Sequence, residues 1–324
     1  MTTSVRPLLA AFFIAALLSC AESTWAQSYP VKPIRLIVPL APGGGNDLLG
    51  RYTSKLLSEN LGQPIVVENR AGGDGNIGVE YVARSAPDGY TLLMGGAGQL
   101  AVPPRGVRKY DPLRDFAPLS MIGEFSSLLA IHPSVPARNV AELVRFAKAR
   151  PGQINYASSG TGSTGHLVME MFRLAVGINM VQIPYKGAGQ ALTDVVAGQV
   201  SLIFSNPLGS MPYLKSGRLR GIAVSSAQRL SALPDIPTVA ESGYPGFEAT
   251  IWLSMLAPAG TPKDIVARLS SELGKIVQRP EVREWLTQQG LQPIGNTPEQ
   301  FSIRLKTDIE KWNKVIREAG IKIE

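Results

Sequence analysis

The residues best suited to chemistry lie in two glycine-rich stretches. One is Pro42-Gly43-Gly44-Gly45-Asn46-Asp47; the other runs Ser158-Ser159-Gly160-Thr161-Gly162-Ser163-Thr164-Gly165 and is followed directly by His166. Each comes after a β-rich run and before an amphipathic one. At a strand-to-helix turn, glycine lets the backbone approach a ligand closely, and the free N–H groups and positive end of the helix dipole face that ligand. The chemistry on offer is capture of an anion. Glycine, serine and threonine also make tight turns for purely structural reasons, and Asp47 alone can serve as a helix cap. Two such loops in separate halves of the chain favour a site, because ligands in open α/β sheets settle at the carboxyl ends of strands.

Three more strand ends carry suitable donors. Ala97, Gly98 and Gln99 follow a strand expected at Thr91–Met94, Tyr185 and Lys186 follow one at Met180–Ile183, and Ser205 follows one at Val200–Phe204. Lys186 can pair with a ligand carboxylate. The candidate binding set is therefore Pro42, Gly43, Gly44, Gly45, Asn46, Asp47, Ala97, Gly98, Gln99, Ser158, Gly160, Gly162, Ser163, His166, Tyr185, Lys186 and Ser205.

Other chemistries fit poorly. Gly160-x-Gly162-x-x-Gly165 has the spacing of a dinucleotide fingerprint, but the next strand, Met180-Val181-Gln182-Ile183-Pro184, offers no acidic residue for a ribose. Neither a phosphate-binding Walker loop nor a G-x-S-x-G nucleophile elbow occurs. The chain has two histidines and one cysteine, too few for the usual metal clusters, so neither metal nor cofactor is expected. Ser163 and His166 form a conceivable nucleophile and base, which keeps a secreted enzyme acting on a carboxylate as the alternative. The sequence shows no acid to orient that histidine, and no catalytic residue is assigned.

Alternating β-rich and helical runs position these loops. Expected strands are Ile34–Val38, Ile65–Glu68, Thr91–Met94, Leu128–Ile131, Asn155–Ala157, Met180–Ile183, Val200–Phe204 and Gly221–Val224. Helices fall between them at Asp47–Asn60, Val140–Ala149, Gly165–Val176, Ala188–Ala197 and Pro207–Lys215. This rhythm predicts α/β architecture with a largely parallel sheet. After Trp252–Ala257 the chain turns helical at Lys263–Val277, Pro280–Gln289 and Pro298–Ala319, with prolines at or near the helix starts. These helices are expected to form the outer layer of one domain. Chain crossings between two domains are expected near Ile122–Ser127 and Phe247–Leu253.

The N-terminus reads as an export signal. Arg6 precedes an apolar run from Leu8 to Leu18, and Thr24-Trp25-Ala26 forms a cleavage site before Gln27. The run is too short to span a bilayer, which takes about 20 residues. Cys20, after Leu17-Leu18-Ser19, offers lipidation as the alternative. Roughly 300 residues then remain, which favours two domains over one core. Hydrophobic residues make up 44% of the chain and charged ones 18%, as in an ordinary globular protein. The net charge of +7 is spread along the chain, which argues against a nucleic-acid stripe and allows mild steering of an anionic ligand.

Several motifs in order resemble the Bug or TctC family, the extracytoplasmic solute receptors of tripartite tricarboxylate transporters. They are Tyr29-Pro30-x-Lys32-Pro33-Ile34-Arg35-Leu36-Ile37-Val38-Pro39, then Pro42-Gly43-Gly44 with Asp47, Val66-Val67-Glu68-Asn69-Arg70-Ala71-Gly72-Gly73, Pro87-Asp88-Gly89-Tyr90-Thr91-Leu92, Pro184-Tyr185-Lys186-Gly187 and Leu233-Pro234-Asp235-x-Pro237-Thr238. The resemblance implies a two-domain periplasmic binding protein of the flytrap type with two crossing segments. The expected division is a signal peptide at 1–26, a first domain at 27–125, a second at 126–248 and a return to the first at 249–324. It also implies a small carboxylate ligand held by the two glycine loops, large and small membrane transporter subunits as partners, and no enzymatic activity. A monomer in the periplasm is expected, with a sensor feeding a signalling partner as the variant role. Two departures stand out: Gly95-Gly96-Ala97-Gly98-Gln99 has fewer hydroxyls than the family run, and Ser205 stands where an aspartate is common. Both point to a less polar distal group on the ligand.

Overall fold

The computed structural model describes residues 29–43, 45–103, 109–185 and 187–321. The expected signal segment with Cys20, and the candidates Gly44 and Lys186, lie outside the described residues.

The first part of the chain builds β1 (Ile34–Val38), α1 (Gly45–Leu61), β2 (Ile65–Asn69), a 3₁₀ turn (Gly73–Gly75), α2 (Asn76–Ala83), β3 (Thr91–Gly96), α3 (Ala97–Leu100) and β4 (Phe116–Ser126). A second sheet follows with β5 (Leu128–Ile131), α4 (Val140–Lys148), β6 (Asn155–Ser158), α5 (Thr164–Val176), β7 (Val181–Pro184), α6 (Ala188–Val196), β8 (Leu202–Ser205), α7 (Pro207–Lys215) and β9 (Arg220–Val224). The chain ends with β10 (Thr250–Pro258), α8 (Lys263–Gln278), α9 (Pro280–Gln288), β11 (Leu291–Pro293) and α10 (Pro298–Ala319).

Strand order is β11-β4-β10-β3-β1-β2 in one sheet and β7-β6-β8-β5-β9 in the other. Both sheets are mixed, which corrects the expectation of a largely parallel sheet. Strands β3, β1 and β2 run parallel, whereas β10 is antiparallel to β3 and β4. In the second sheet β7, β6 and β8 run parallel and β5 opposes both β8 and β9. The cause is the chain crossing. It leaves the first sheet at the end of β4, and β5 begins where β8 ends, Leu128 pairing with Ser205. A strand that enters at the carboxyl rim must run against the strands that finish there. The same holds on return, where Thr250 pairs with Ser126.

Two crossings therefore join the sheets, at Ser127 and between Val224 and Thr250, and serines tie them together. Ser127 N–H donates to Ser225 Oγ at 2.9 Å, and Ser225 Oγ donates to the Ala249 carbonyl at 2.6 Å. Ser226 N–H donates to Ser126 Oγ at 3.1 Å.

Helix α10 shows how local sequence sets an element. Thr297 and Gln300 form a reciprocal capping box, Pro298 occupies the first turn, and Gly320 ends the helix in the left-handed region. Phe301, Leu305, Asp308, Trp312 and Val315 recur at helical spacing and are buried. Helices α8 and α9 cover the first sheet as expected, packing Leu269, Leu273 and Leu286 with Ile34, Leu36 and Leu57. Helix α10 departs from that layer. It packs on β4 and also on α5 of the second sheet, so Trp252, Phe301 and Trp312 share a core with Phe172 and Val168.

Candidate functional site

Parallel strands finish at one rim. In the first sheet the ends of β1, β2 and β3 deliver residues 39–43, 70–75 and 97–99 to the same edge; in the second, β6, β7 and β8 deliver residues 159–163, Tyr185 and Ser205. Both crossings run from rim to rim, so the two sets of loops face one cleft.

The first loop is held by its own acid. Asp47 Oδ2 accepts from Gly43 N–H at 2.9 Å and from Arg51 Nε at 3.0 Å, and Asp47 Oδ1 accepts from Asn69 Nδ2 at 2.9 Å. Asn69 also donates to the Leu40 carbonyl at 3.1 Å. Gly43 has a φ of 84°, a left-handed turn that folds the loop back over the carboxylate. The Arg51 guanidinium, with the Gly43 amide and Asn69, holds the Asp47 carboxyl down to about 2 against the opposing effect of burial. Asp47 is thus a buried latch that shapes the loop. Pro42 and Gly45 are exposed. Asn46 is buried, and among the described residues its Nδ2 has no hydrogen-bond partner.

The second loop rests on a buried polar stack. Ser163 caps α5 by accepting from His166 N–H, and the His166 ring accepts Gly162 N–H on Nδ1 at 2.9 Å. This contact fixes the tautomer, because Nδ1 must be unprotonated to accept. The ring's other nitrogen faces inward, 4.0 Å from Glu170 Oε1. Glu170 takes a bidentate pair of bonds from Arg173, both 2.9 Å, and a hydrogen bond from Tyr156. Gly162, at φ 75°, turns its amide into this arrangement. Ser158 is buried and accepts from Gln182 Nε2 at 2.8 Å, while Gly160 lies 3.4 Å from its hydroxyl.

The remaining candidates spread along the same rims. Tyr185 donates through its backbone to the Ser158 carbonyl and through its hydroxyl to Asp194 at 2.8 Å. Burial, then the Asp194 contact, pushes its hydroxyl up to about 12. Ser205 pairs with the buried Ser210 at 2.7 Å. Ala97 is buried at the start of α3, Gly98 is exposed, and the Gln99 carbonyl accepts from Tyr110 at 2.7 Å.

The starts of α1 and α7, one from each sheet, meet at a cavity of about 220 Å³, which Gly45 alone of the described candidates lines. Gly45 and Leu48 of α1 form one wall, and Asn206 and Leu208, at the start of α7, the other. Phe125, Trp285 and Leu291 close the remaining sides. A larger groove of about 830 Å³ lies elsewhere on the first domain, beside Arg35, Arg70 and Tyr81. Its cations are already engaged, Arg35 and Arg70 with Glu68 and Arg84 with Glu80.

A family model described as the tripartite tricarboxylate transporter family receptor matches residues 49–321. The chain belongs to this receptor family. BugT of Bordetella pertussis is 38% identical over 305 residues, which cover 92% of this chain and 93% of BugT. Among solved structures, Rpa4515 of R. palustris, determined with adipate, superposes with a TM-score of 0.76 at 37% identity, covering 90% of this chain and 99% of that one. MatC from Rhodopseudomonas palustris, determined with bound malate, gives 0.71 at 29% identity over 89% and 100% of the two chains. The receptor shares with these the two-domain fold of periplasmic binding proteins.

Sequence reasoning located both glycine loops of the receptor but missed their supports. Arg51, which holds Asp47, stands four residues on, a spacing at which helical ion pairs form, whereas Asn69 is a strand away and nothing local marks it. Asn206 lies in the Ser205-Asn206-Pro207 segment that the sequence places at a strand end bordering the cleft, though the candidate set stops at Ser205; as Asn206-Pro207 suggests, it starts a helix, its side chain accepting Leu208 N–H at 2.9 Å. Leu48 and Trp285 gave no signal, because each belongs to an ordinary amphipathic helix.

Proposed function

We propose that this chain is a periplasmic solute-binding protein that takes a small carboxylate into the cleft between the two rims and passes it to the membrane subunits of a tripartite transporter. The observation that carries this reading is the cavity shared by Gly45 and Asn206, which brings the positive ends of α1 and α7 to one place from opposite sheets. Asn46 adds a buried amide donor at the same helix start. The ligands of Rpa4515 and MatC, adipate and malate, set the chemical class. Residues 27–125 and 249–324 form one lobe and 126–248 the other, and the ligand closes them about the serine-linked crossings. The export signal at 1–26 delivers the protein to the periplasm, where it acts as a monomer.

The binding set is the two glycine loops with Ala97, Gly98, Gln99, Tyr185, Lys186 and Ser205. Within it Asp47 and His166 act by shaping loops: Asp47 accepts from the Gly43 amide, Arg51 and Asn69, and His166 Nδ1 accepts from the Gly162 amide. The same geometry argues for binding without turnover. The His166 nitrogen nearest the loop already accepts Gly162 N–H, so it has no lone pair with which to activate Ser163.

Thermal unfolding of the mature protein against a panel of mono-, di- and tricarboxylates and amino acids tests the reading. A ligand that binds only the folded state stabilises it by about 2.7 kcal/mol at a hundred times its Kd, which raises the midpoint in a dose-dependent way. A folded, ligand-free protein that responds to no member of the panel overturns the proposal.

A further inference from the structure

The cavity between the rims is unlike the polar loops beside it. It is lined by Leu48, Phe125, Leu208, Trp285 and Leu291, with Asn206 and Gln289 as its polar members, and none of its lining residues among the described ones is charged. Leu48 is half exposed, one of few large apolar side chains that α1 leaves open to solvent. An exposed leucine is ordinary; one that shares an apolar cavity with an aromatic floor at the mouth of an anion-binding helix is a binding wall. Trp285 is held flat against Tyr52, with ring centroids 3.9 Å apart, which sets the ring's orientation in that wall.

The size of the cavity sets what it holds. A cavity of about 150 Å³ lined by aliphatic and aromatic side chains accommodates benzene, and this one is about 220 Å³. The charge pattern sets what it rejects. A second carboxylate pressed against Leu48, Phe125, Leu208 and Trp285 would lose its water and gain no hydrogen bond from those side chains in return.

We propose that the receptor is selective for monocarboxylates carrying an apolar tail, an aromatic ring or a medium-length aliphatic chain, with the carboxylate at the α1 start and the tail against Leu48, Phe125, Leu208 and Trp285. This rests on the reading of the cleft as the carboxylate site. The polar tails of malate and adipate are then disfavoured ligands.

Trp252 and Trp312 are fully buried elsewhere, so Trp285 reports on this cavity. The experiment is a tryptophan-fluorescence titration of the mature protein with straight-chain monocarboxylates from acetate to octanoate, with phenylacetate, and with malate and adipate. The expected result is affinity rising roughly threefold to fourfold per added methylene until the cavity fills, with phenylacetate at least tenfold tighter than malate. In Leu48→Gln, checked for an unchanged folding midpoint, octanoate affinity falls about tenfold and the slope flattens. Malate or adipate binding more tightly than every monocarboxylate overturns the inference and leaves the carboxylate site standing. An unaltered slope in Leu48→Gln overturns the placement of the tail. No response to any carboxylate, by fluorescence or thermal shift, overturns both the inference and the site.

Discussion

Replacing Asp47 with asparagine isolates the latch under the first glycine loop. The carboxylate accepts from Gly43, Arg51 and Asn69 at 2.9, 3.0 and 2.9 Å and is held at about 2 rather than the ordinary 3.8. At about 1.4 kcal/mol per pK unit this difference corresponds to at most about 2.4 kcal/mol of stability. Arg51 is 52% exposed, and solvent screening of its share brings the expected value to about 1–2 kcal/mol. The folded-state value is depressed, so the contribution is fully present above the unfolded carboxyl's range, near 4, and is lost as pH falls from there towards 2. Roughly half is gone by about pH 3. Asp47→Asn cannot titrate, so urea unfolding should show the variant about 1–2 kcal/mol less stable near neutral pH, with the gap narrowing as pH falls from about 4 to about 3. A gap that stays constant over that interval refutes the electrostatic latch.

Three other outcomes follow, two from buried hydrogen bonds and one from backbone conformation. Ser225→Ala leaves the Ser127 amide and the Ala249 carbonyl without their shared hydroxyl, and urea unfolding should register a loss of about 1–3 kcal/mol. Asp308, 1% exposed, pairs with Arg304 and Lys311 and accepts Trp252 Nε1–H at 2.7 Å; Asp308→Ala should cost about 3–5 kcal/mol, read as a large drop in urea midpoint. Gly162→Ala places a side chain at φ 75°, and a thermal melt should show about 1–2 kcal/mol of destabilisation.

Much of this arrangement was legible in the sequence where local rules decide it. Strand β1 and helices α7 and α10 keep the bounds expected from their apolar spacing and from the prolines at the helix starts. The glycine loops sit at strand ends because glycine and cap residues mark such turns locally. What was hidden depends on contacts far along the chain. Strand β4 contains Pro118 and Gly123, which read as breakers; Pro118 sits beside a register shift against β10, and Gly123 takes the close approach of Gln292 on β11. Helix α2 is short, follows a run of glycines and contains Gly78, which tucks against the Pro39 and Arg70 backbone where any side chain would clash. The reversed strands β5 and β10 follow from the crossings, and no pattern within either strand encodes direction. The apolar cavity joins α1, α7 and α9, elements whose own sequences give no sign that they meet.

Calorimetric titration of the mature protein and of Asn46→Ala with carboxylates tests the central claim most directly. The Asn46 amide has no partner within the described protein, so removing it breaks no hydrogen bond of the described residues and should not lower the folding midpoint through a lost bond. The account predicts one-to-one binding to the wild type, weakened about tenfold in Asn46→Ala. Binding of equal strength in both proteins would place the ligand away from the start of α1 and contradict the account.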